Sequence, residues 1–305
     1  MSPSDAPRAK TPPAPEPPVT GPSPLLPILE VEQIEQDYFR GAHAPGGKGR
    51  AFGGLVVAQA LMAATGTVDE ARHAHSLHAY FMRPGDAAAP VLYRVERDRD
   101  GKSFDTRRVI AIQNGRPILN LAASFHAPEP GLSHQTEMPD VPDPEGLPTD
   151  ADLAREHYEE LPERYLQFFR WNRPVEIRPV MTRPPYKTDD LRPINRFWFR
   201  AKGEFPGDAR LHRAALAFAS DMGLLGAAMM PHAKHFAAPE MQVASLDHAL
   251  WLHADFRADD WLLYDIDSPW AGGARGFTRG RIFSRDGRLV ADAAQEGLVR
   301  VHEEG

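Results

Sequence analysis

The stretch that decides the fold is Leu211–Met230, LHRAALAFASDMGLLGAAMM. From Ala214 onward nearly every residue is apolar or very small, and no polar stripe recurs at helical spacing. A helix that is hydrophobic on all sides is a buried helix. The stretch therefore predicts a central helix enclosed by other elements, with one ionisable residue, Asp221, in its middle.

Asp221 has two explanations. Burying an unpaired carboxylate costs several kcal/mol, so its presence requires a compensating interaction or a role. In the first explanation, Ser220 or Asp221 caps a second, shorter helix at a break in the stretch. In the second, Asp221 is a working acid or base whose pKa is altered by burial.

The residues before this helix predict a compact unit. A glycine-rich turn at 45–49 precedes a buried helix over 52–65, whose first glycines, Gly53 and Gly54, allow another backbone to approach closely. Asn114-Gly115 between two β-rich segments predicts a hairpin. Strands are expected at 34–40, 75–83, 91–99, 103–113 and 117–126.

A second unit begins near Val175. The helix of 211–230 lies within it, and Asp286-Gly287 predicts the last hairpin. Strands are expected at 194–202, 245–253, 261–267, 274–284 and 288–302. Between the units, residues 131–173 are rich in proline and acidic residues and predict a linker with one exposed helix over 152–165.

The two units form an internal repeat. Offsets of about 170 to 172 residues match four pairs of sites: His78-Ala79 with His248-Ala249, Tyr93 with Tyr264, Thr106-Arg107 with Thr278-Arg279, and Asn114-Gly115 with Asp286-Gly287. The prediction is an α+β fold in which a curved antiparallel sheet packs on a central helix. This unit is made twice, over 25–130 and 174–305.

The copies differ at three positions where the second copy has a side chain that could take part in catalysis. By the same alignment, Asp221 falls beside Gly53 at an offset of 168, Gln295 opposite Ala123 at 172, and Ser245 where the first copy has His75 at 170. A purely structural residue would be expected in both copies. The asymmetry therefore favours a catalytic role for Asp221 over the capping explanation.

Composition excludes several classes. The net charge of −7 gives no reason to expect nucleic acid as a partner. The absence of cysteine excludes disulfides and thiolate nucleophiles. Residues 1–24 predict a disordered proline-rich tail rather than a signal peptide. No apolar run is expected to reach the roughly 20 residues of a membrane span, so we expect a cytoplasmic protein without membrane insertion.

The sequence resembles the acyl-CoA thioesterase II family. The resemblance covers about residues 26–302, in the family's order and spacing. It is carried by eight blocks: FGGLVVAQAL, HSLHAYFMRPGD, SFDTRRVIAIQNG, ASFH, FASDMGLL, ASLDHALWLH, WLLYDIDSPWAGGARGFTRG and AAQEGLVR. It implies a double hotdog fold and hydrolysis of fatty acyl-CoA thioesters without a metal, a cofactor or a covalent intermediate, in a protein that is often oligomeric.

The resemblance implies that the catalytic residues are Asp221, Ser245 and Gln295. Ser245 stands where threonine is more usual, so the hydroxyl is kept while the stiff β-branch is lost. Leu55 stands where many members have glutamine after the glycine pair, which puts a polar contact from this position in doubt.

Substrate-binding groups are predicted with alternatives. The amides of Gly53 and Gly54 are candidate oxyanion donors. Arg275 and Arg279 are candidates for the coenzyme's phosphates, although an exposed charged strand face explains them as well. The residues expected to line an acyl tunnel, or else to be ordinary core, are Val56, Val57, Leu61, Met222, Leu224 and Leu225.

Two other functions stay open. Another hotdog enzyme such as a hydratase usually needs an Asp/His pair, and the helix around Asp221 has no histidine at i+4. A non-catalytic acyl-CoA binder would not need Asp221, Ser245 and Gln295 together. The nearby His73, His75 and His78 invite a metal site, but they fall on a turn and on opposite strand faces, so none is predicted.

Overall fold

The structure, a computed structural model, describes residues 12, 14, 17–43, 46–169, 173–181 and 191–302. Its helices are α1 (Leu26–Leu29), α2 (Gly53–Thr65), α3 (Asp150–Glu156), α4 (Glu163–Phe169), α5 (Ala209–Ser220) and α6 (Leu224–Met229). Short 3-10 turns lie at Pro144–Gly146 and Met230–His232.

The strands of the first half are β1 (Val31–Glu35), β2 (Tyr38–Gly41), β3 (His73–Phe81), β4 (Val91–Asp100), β5 (Phe104–Gln113) and β6 (Arg116–His126). Those of the second half are β7 (Val175–Pro179), β8 (Ile194–Ala201), β9 (Met241–Ser245), β10 (Asp247–Leu252), β11 (Leu262–Gly272), β12 (Arg275–Ser284) and β13 (Leu289–Val301).

These thirteen strands form one antiparallel sheet. Twelve of them follow the order β1-β2-β4-β5-β6-β3-β10-β13-β12-β11-β8-β7, and β9 pairs with β13 outside this path. The second half of the order repeats the first half in reverse, and the halves join where β3 pairs with β10. In the first half α2 packs against β3 to β6, and in the second α6 packs against β11 to β13. The predicted double hotdog is confirmed.

Helix α5 packs across α2, so the two halves share a continuous apolar core. The core is built of alanine, valine, leucine and phenylalanine from both helices and both half-sheets. The two predicted units are therefore repeats of one structure that share a single interior.

The buried stretch 211–230 is two helices. Helix α5 ends at Ser220 and α6 begins at Leu224, and between them Gly223 adopts a left-handed conformation with φ 79°, which favours glycine. Asn195 of β8 donates to the Gly223 carbonyl oxygen at 3.1 Å. The break anticipated by the capping explanation exists, but the residue at the N-cap of α6 is Gly223, and no side chain caps it.

Several local expectations were wrong. The segment 34–40 is not one strand, because Asp37 with φ 61° turns the chain between β1 and β2. The exposed helix over 152–165 is two short helices, which bury Leu153 and Leu166, and Leu161 is buried in the connection between them. In the segment 131–173, Pro142 accepts a hydrogen bond from the indole of Trp198, so this linker packs on the second half.

The proline-rich tail is described only in part. Pro22 forms a bridge with Glu204, and Ser23 donates its amide to the Glu204 carbonyl oxygen at 3.0 Å. Disorder as predicted for 1–24 therefore does not extend to these residues. The expectation for 1–11, 13, 15 and 16 lies outside the described residues.

Within the described residues, one stretch is long and apolar enough to cross a membrane, Ala209–His232. This corrects the expectation that no run would approach that length. Its most apolar window is 72% buried inside the protein, and a core helix meets the same criteria, so the finding is weak evidence for a membrane span.

The repeat needs one correction of register. His248 is buried and His78 is exposed, and Arg107 is buried whereas Arg279 is exposed. Successive residues of a strand point to opposite faces, so these pairs, matched at offsets of 170 and 172, do not face the same way. Tyr93 and Tyr264, matched at 171, are both fully buried.

Candidate active site

Asp221 lies at the end of α5, where the helix breaks. Its carboxylate meets the first turn of α2 from the other half: the Gly54 amide donates to it, and a Cβ on Gly53 would lie 2.7 Å from Oδ2. No acidic residue stands in the first turn of α2, and its N-cap residue Phe52 makes no side-chain bond. Asp221 thus supplies from outside the negative charge that a helix N-terminus favours.

Gln295 and Ser245 reach Asp221 from the sheet. Gln295 Nε2 donates to Asp221 Oδ1 at 2.6 Å, and Ser245 Oγ donates to the same oxygen at 3.5 Å. Ser245 ends β9 and pairs with Gly297 of β13. Because Gln295 and Gly297 are two residues apart on one strand, they share the inner face of the sheet. The structure therefore brings together the three residues predicted to be catalytic.

Burial controls the charge of this acid. Desolvation raises the pKa of Asp221 from 3.8 to about 6, against hydrogen bonds from Gln295, Gly54 and Ser245 that lower it. Asp221 as a whole residue is half-buried, so the desolvation acts on a carboxyl group that points inward. A base with a pKa near 6 is largely ionised at neutral pH and can still accept a proton.

Gln295 has an unused acceptor. The residue is 1% exposed, and among the described residues no group donates to its Oε1. Thr278 of β12 donates its hydroxyl to the Gln295 backbone oxygen at 3.2 Å and supports the strand from the inner face. A buried oxygen without a donor is costly, so this atom is available to a water or a substrate.

A second buried network lies directly behind Asp221. His248 Nε2 is 2.8 Å from Ser220 Oγ, and Tyr264 donates its hydroxyl to the Ser220 carbonyl oxygen at 2.8 Å. Burial lowers the pKa of His248 from 6.5 to about 4, so the ring is neutral at neutral pH. The network fixes the last residue of α5, from which Asp221 projects.

The predicted substrate-binding groups divide into two sets. Gly53 and Gly54 lie at the site, but the Gly54 amide is engaged with Asp221, which leaves Gly53 as the candidate oxyanion donor. Arg275 pairs with Glu296 at 3.1 Å and Arg279 with Asp267 at 2.9 Å. Both arginines are about half exposed on the face opposite Thr278, which fits the alternative of an exposed charged strand face, and their assignment to phosphates stays untested.

The expected tunnel residues are mostly ordinary core. Val57, Leu61 and Leu224 are fully buried, and of the six residues only Val56 lines a described cavity near the site. That cavity, of about 30 Å³, lies beside Phe52 and Phe218. A cleft of about 830 Å³ runs between residues 17–21, α3 and β7–β8. It is away from the three catalytic candidates, none of which lines it.

Within the described part of the chain, no group of three or more histidine and acidic side chains is arranged to hold a metal ion. His75 is bonded to Ser124 Oγ at 2.8 Å, and His78 stacks edge-on against Trp251.

Sequence reasoning missed two features of the site. The Gly54 amide was expected to contact substrate, whereas it holds the acid. Phe52 and Phe218, whose rings pack edge to face with centroids 5.1 Å apart, were not singled out. The only signal for the phenylalanines is that they are aromatic residues in otherwise aliphatic stretches.

The fold and the three converging polar side chains define a class, hydrolases of the double hotdog type. Models of the acyl-CoA thioesterase and of the acyl-CoA thioesterase N-terminal domain match residues 166–298 and 41–126. Human acyl-coenzyme A thioesterase 8 is 43% identical over 287 residues, covering 90% of this chain and 88% of that protein. Acyl-CoA thioesterase 2 of Haemophilus influenzae is 39% identical, covering 92% and 98%.

Solved structures agree with this. An acyl-CoA thioesterase II from Mycobacterium marinum superposes with a TM-score of 0.73 at 43% identity, covering 90% of this chain and 98% of that one. A hotdog protein from Alicyclobacillus acidocaldarius, 18% identical with a TM-score of 0.71, supports the fold alone. The chain belongs to the acyl-CoA thioesterase family, and it is a thioester hydrolase with an acyl-CoA substrate.

Proposed function

We propose that the protein hydrolyses fatty acyl-CoA to the free fatty acid and CoA, with Asp221 as general base toward a water molecule and with no covalent intermediate. The observation that carries this proposal is the contact of Gln295 Nε2 with Asp221 Oδ1 at 2.6 Å beside the Ser245 hydroxyl. These three groups converge on a desolvated acid. The neighbouring Ser220–His248 pair is fully buried, and Ser220 Oγ donates to the Ala217 carbonyl oxygen at 3.1 Å, so this pair is not placed to act as a nucleophile.

The water is held by groups with complementary roles. Gln295 donates through Nε2 to the acid and accepts through its free Oε1 from the water, as an amide can do both. Ser245 completes the arrangement by donating to Asp221. Positioning and base catalysis together contribute several orders of magnitude in rate.

The reaction balances through Asp221. The carboxylate takes a proton as the water oxygen attacks the thioester carbonyl carbon, and the oxyanion forms against the Gly53 amide at the N-terminus of α2. When the intermediate collapses, the carbon–sulfur bond breaks and the proton passes from Asp221 to the CoA sulfur. The products are the carboxylic acid and the CoA thiol.

Three features of the biology are part of this proposal. We propose that the protein takes part in fatty acid metabolism, acts in the cytoplasm without inserting into a membrane, and assembles as a homo-oligomer. They are supported by the resemblance to the family and by the unremarkable composition, and sedimentation of the purified chain would test the last of them.

The decisive test is release of free thiol from a series of acyl-CoA esters. We expect Asp221→Asn to lose at least about 1,000-fold in kcat/KM while keeping the fold, because Asn has the same shape but cannot take a proton. Asp267→Asn is the matched control, a half-buried acid paired with Arg279 on the outer face. Near-normal activity in Asp221→Asn would refute the mechanism.

The same preparation distinguishes the other functions. A hydratase would add water to crotonyl-CoA without releasing thiol, and a binding protein would retain acyl-CoA without turnover. Either result in the wild-type protein, in place of thiol release, would overturn the proposal.

A further inference from the structure

The first turn of α2 has the acid on one side and an apolar cavity on the other. A Cβ on Gly53 would meet Asp221 Oδ2 at 2.7 Å, and a Cβ on Gly54 would meet the Phe52 ring at 2.6 Å and the Phe218 backbone oxygen. Adjacent residues of one helix therefore contact the acid and the Phe52–Phe218 pair. The cavity begins immediately behind these two rings.

The lining of the cavity suits hydrocarbon. One wall is α2 together with the two phenylalanines, and the other is the loop 86–89 with β4. The amide of Gln59, the most deeply buried polar lining group, is already saturated by Ile28, Ala42 and Tyr93. The other polar lining residues, His43 and Asp86, are exposed, so the buried part of the lining suits hydrocarbon rather than the amides of pantetheine, which require hydrogen-bond partners.

The size of the cavity is set by small residues. Its volume is about 30 Å³, which is the share of one water molecule in the liquid. Four of the lining residues are alanines, so a larger side chain at one of these positions would fill the space. These alanines are Ala42, Ala51, Ala87 and Ala89.

We propose that this cavity is the closed form of the acyl pocket, that the Phe52–Phe218 pair is the gate between it and Asp221, and that the space between Leu55 and Ala89 sets the acyl length accepted. The inference rests on the proposed function, because it assumes that the thioester reacts at Asp221. Phe218 is 1% exposed and belongs to the shared core, whereas Phe52 is only half-buried, so Phe52 is the ring that moves when the gate opens.

The experiment fills the pocket with a larger side chain in the loop 86–89. Ala89 lines the cavity and is half-buried, whereas its neighbour Ala88 is exposed and does not line it. The kcat/KM of purified Ala89→Leu and Ala88→Leu is measured for acetyl-, butyryl-, octanoyl- and dodecanoyl-CoA. We expect Ala89→Leu to lower the dodecanoyl-to-acetyl ratio by about 10-fold or more, and Ala88→Leu to leave the ratio as in the wild type.

A second pair of variants tests the opposite direction. Leu55→Ala removes bulk from the cavity wall, and Leu61→Ala removes the same bulk from the same helix outside the cavity. We expect the ratio to rise in Leu55→Ala only. Thermal melting of all four variants verifies that each is folded, and the Ala89 variant changes no residue of the shared core.

Two outcomes would refute the proposal that this cavity is the acyl pocket. Equal losses for acetyl- and dodecanoyl-CoA in Ala89→Leu would place the pantetheine arm, rather than the acyl chain, behind the gate. An unchanged dodecanoyl-to-acetyl ratio in both Ala89→Leu and Leu55→Ala, each folded, would show that the cavity is only a packing void. Either result leaves the proposed function standing provided that Asp221→Asn is inactive, so the two failures are distinguishable.

Discussion

The two halves of the chain have the same architecture but contribute different groups to one site. In the first half, α2 is a continuous helix that starts with two glycines. In the second, the corresponding stretch is broken at Asp221–Gly223. In the first half, the buried residue Arg107 pairs with Ala123 on the neighbouring strand. At the corresponding place in the second half, the buried residue Thr278 pairs with Gln295.

These differences teach that the site belongs to neither half alone. The second half supplies the acid, the hydroxyl and the amide. The first half supplies space at Gly53, a backbone donor at Gly54, and the positive end of α2. The first half's own equivalent position is closed, because the Arg107 guanidinium donates to the hydroxyl and carbonyl oxygens of Thr67 and to Asp100.

The most direct test of the difference between the two halves is to remove the charge of Asp221. Desolvation raises the pKa of Asp221 to about 6, above its unfolded value of 3.8, so the folded state favours the protonated form. Stability is thus greatest below pH 4 with respect to this group and falls as the pH rises from about 4 through 6. We expect Asp221→Asn, measured by urea unfolding at pH 8, to gain up to about 3 kcal/mol in the free energy of unfolding while losing turnover. Equal stability of the two proteins at pH 8 would show that the charged carboxylate is not destabilising.

Gly53→Ala tests the contribution of the first half. The added methyl would lie 2.7 Å from Asp221 Oδ2 and 2.8 Å from the Phe81 ring, so the acid must move. We expect about 100-fold lower kcat/KM, since a displacement of about 1 Å has this effect on a positioned group. Gly226→Ala, on the second-half helix with only an ordinary contact at 3.8 Å, is the control and should keep its activity. Full activity in Gly53→Ala would show that α2 does not contribute to the site.

Gln295→Ala tests the contribution of the sheet. Its hydrogen bond is the largest factor that lowers the pKa of Asp221. In the wild type we expect kcat/KM to rise with pH through about 6 and then level off. The variant should lose about 10-fold at high pH and show its midpoint at a higher pH. Asp292→Asn, on the outer face of the same strand and paired with His253, should keep the wild-type profile. An unshifted midpoint in Gln295→Ala would contradict the assignment.

The smallest expected effect concerns the outer face. Arg275 and Arg279 are exposed and already paired with carboxylates, and such pairs contribute little. We expect Arg275→Gln and Arg279→Gln each to change KM for acyl-CoA by less than about twofold in the thiol-release assay. A tenfold rise in KM would instead assign these arginines to the coenzyme's phosphates.

Much of the fold was predictable because local signals repeat. The Asn114-Gly115 hairpin, the helix beginning at Gly53 and all the long strands follow from turn chemistry and periodicity. The register of the repeat was less certain, since one residue of slip turns a buried side chain outward. The matches of His78 with His248 and of Arg107 with Arg279 were wrong for that reason, whereas the match of the buried tyrosines held.

The sequence by itself determined the double hotdog, the family, and the three polar residues that mark the second copy. The tertiary structure decided that Asp221 meets the N-terminus of a helix 167 positions earlier in the chain. It also decided that Gly54 holds the acid and that the arginines face away. The physical reason is that spacing and composition encode periodicity within one element, whereas the pKa of Asp221 depends on how two halves pack and exclude water.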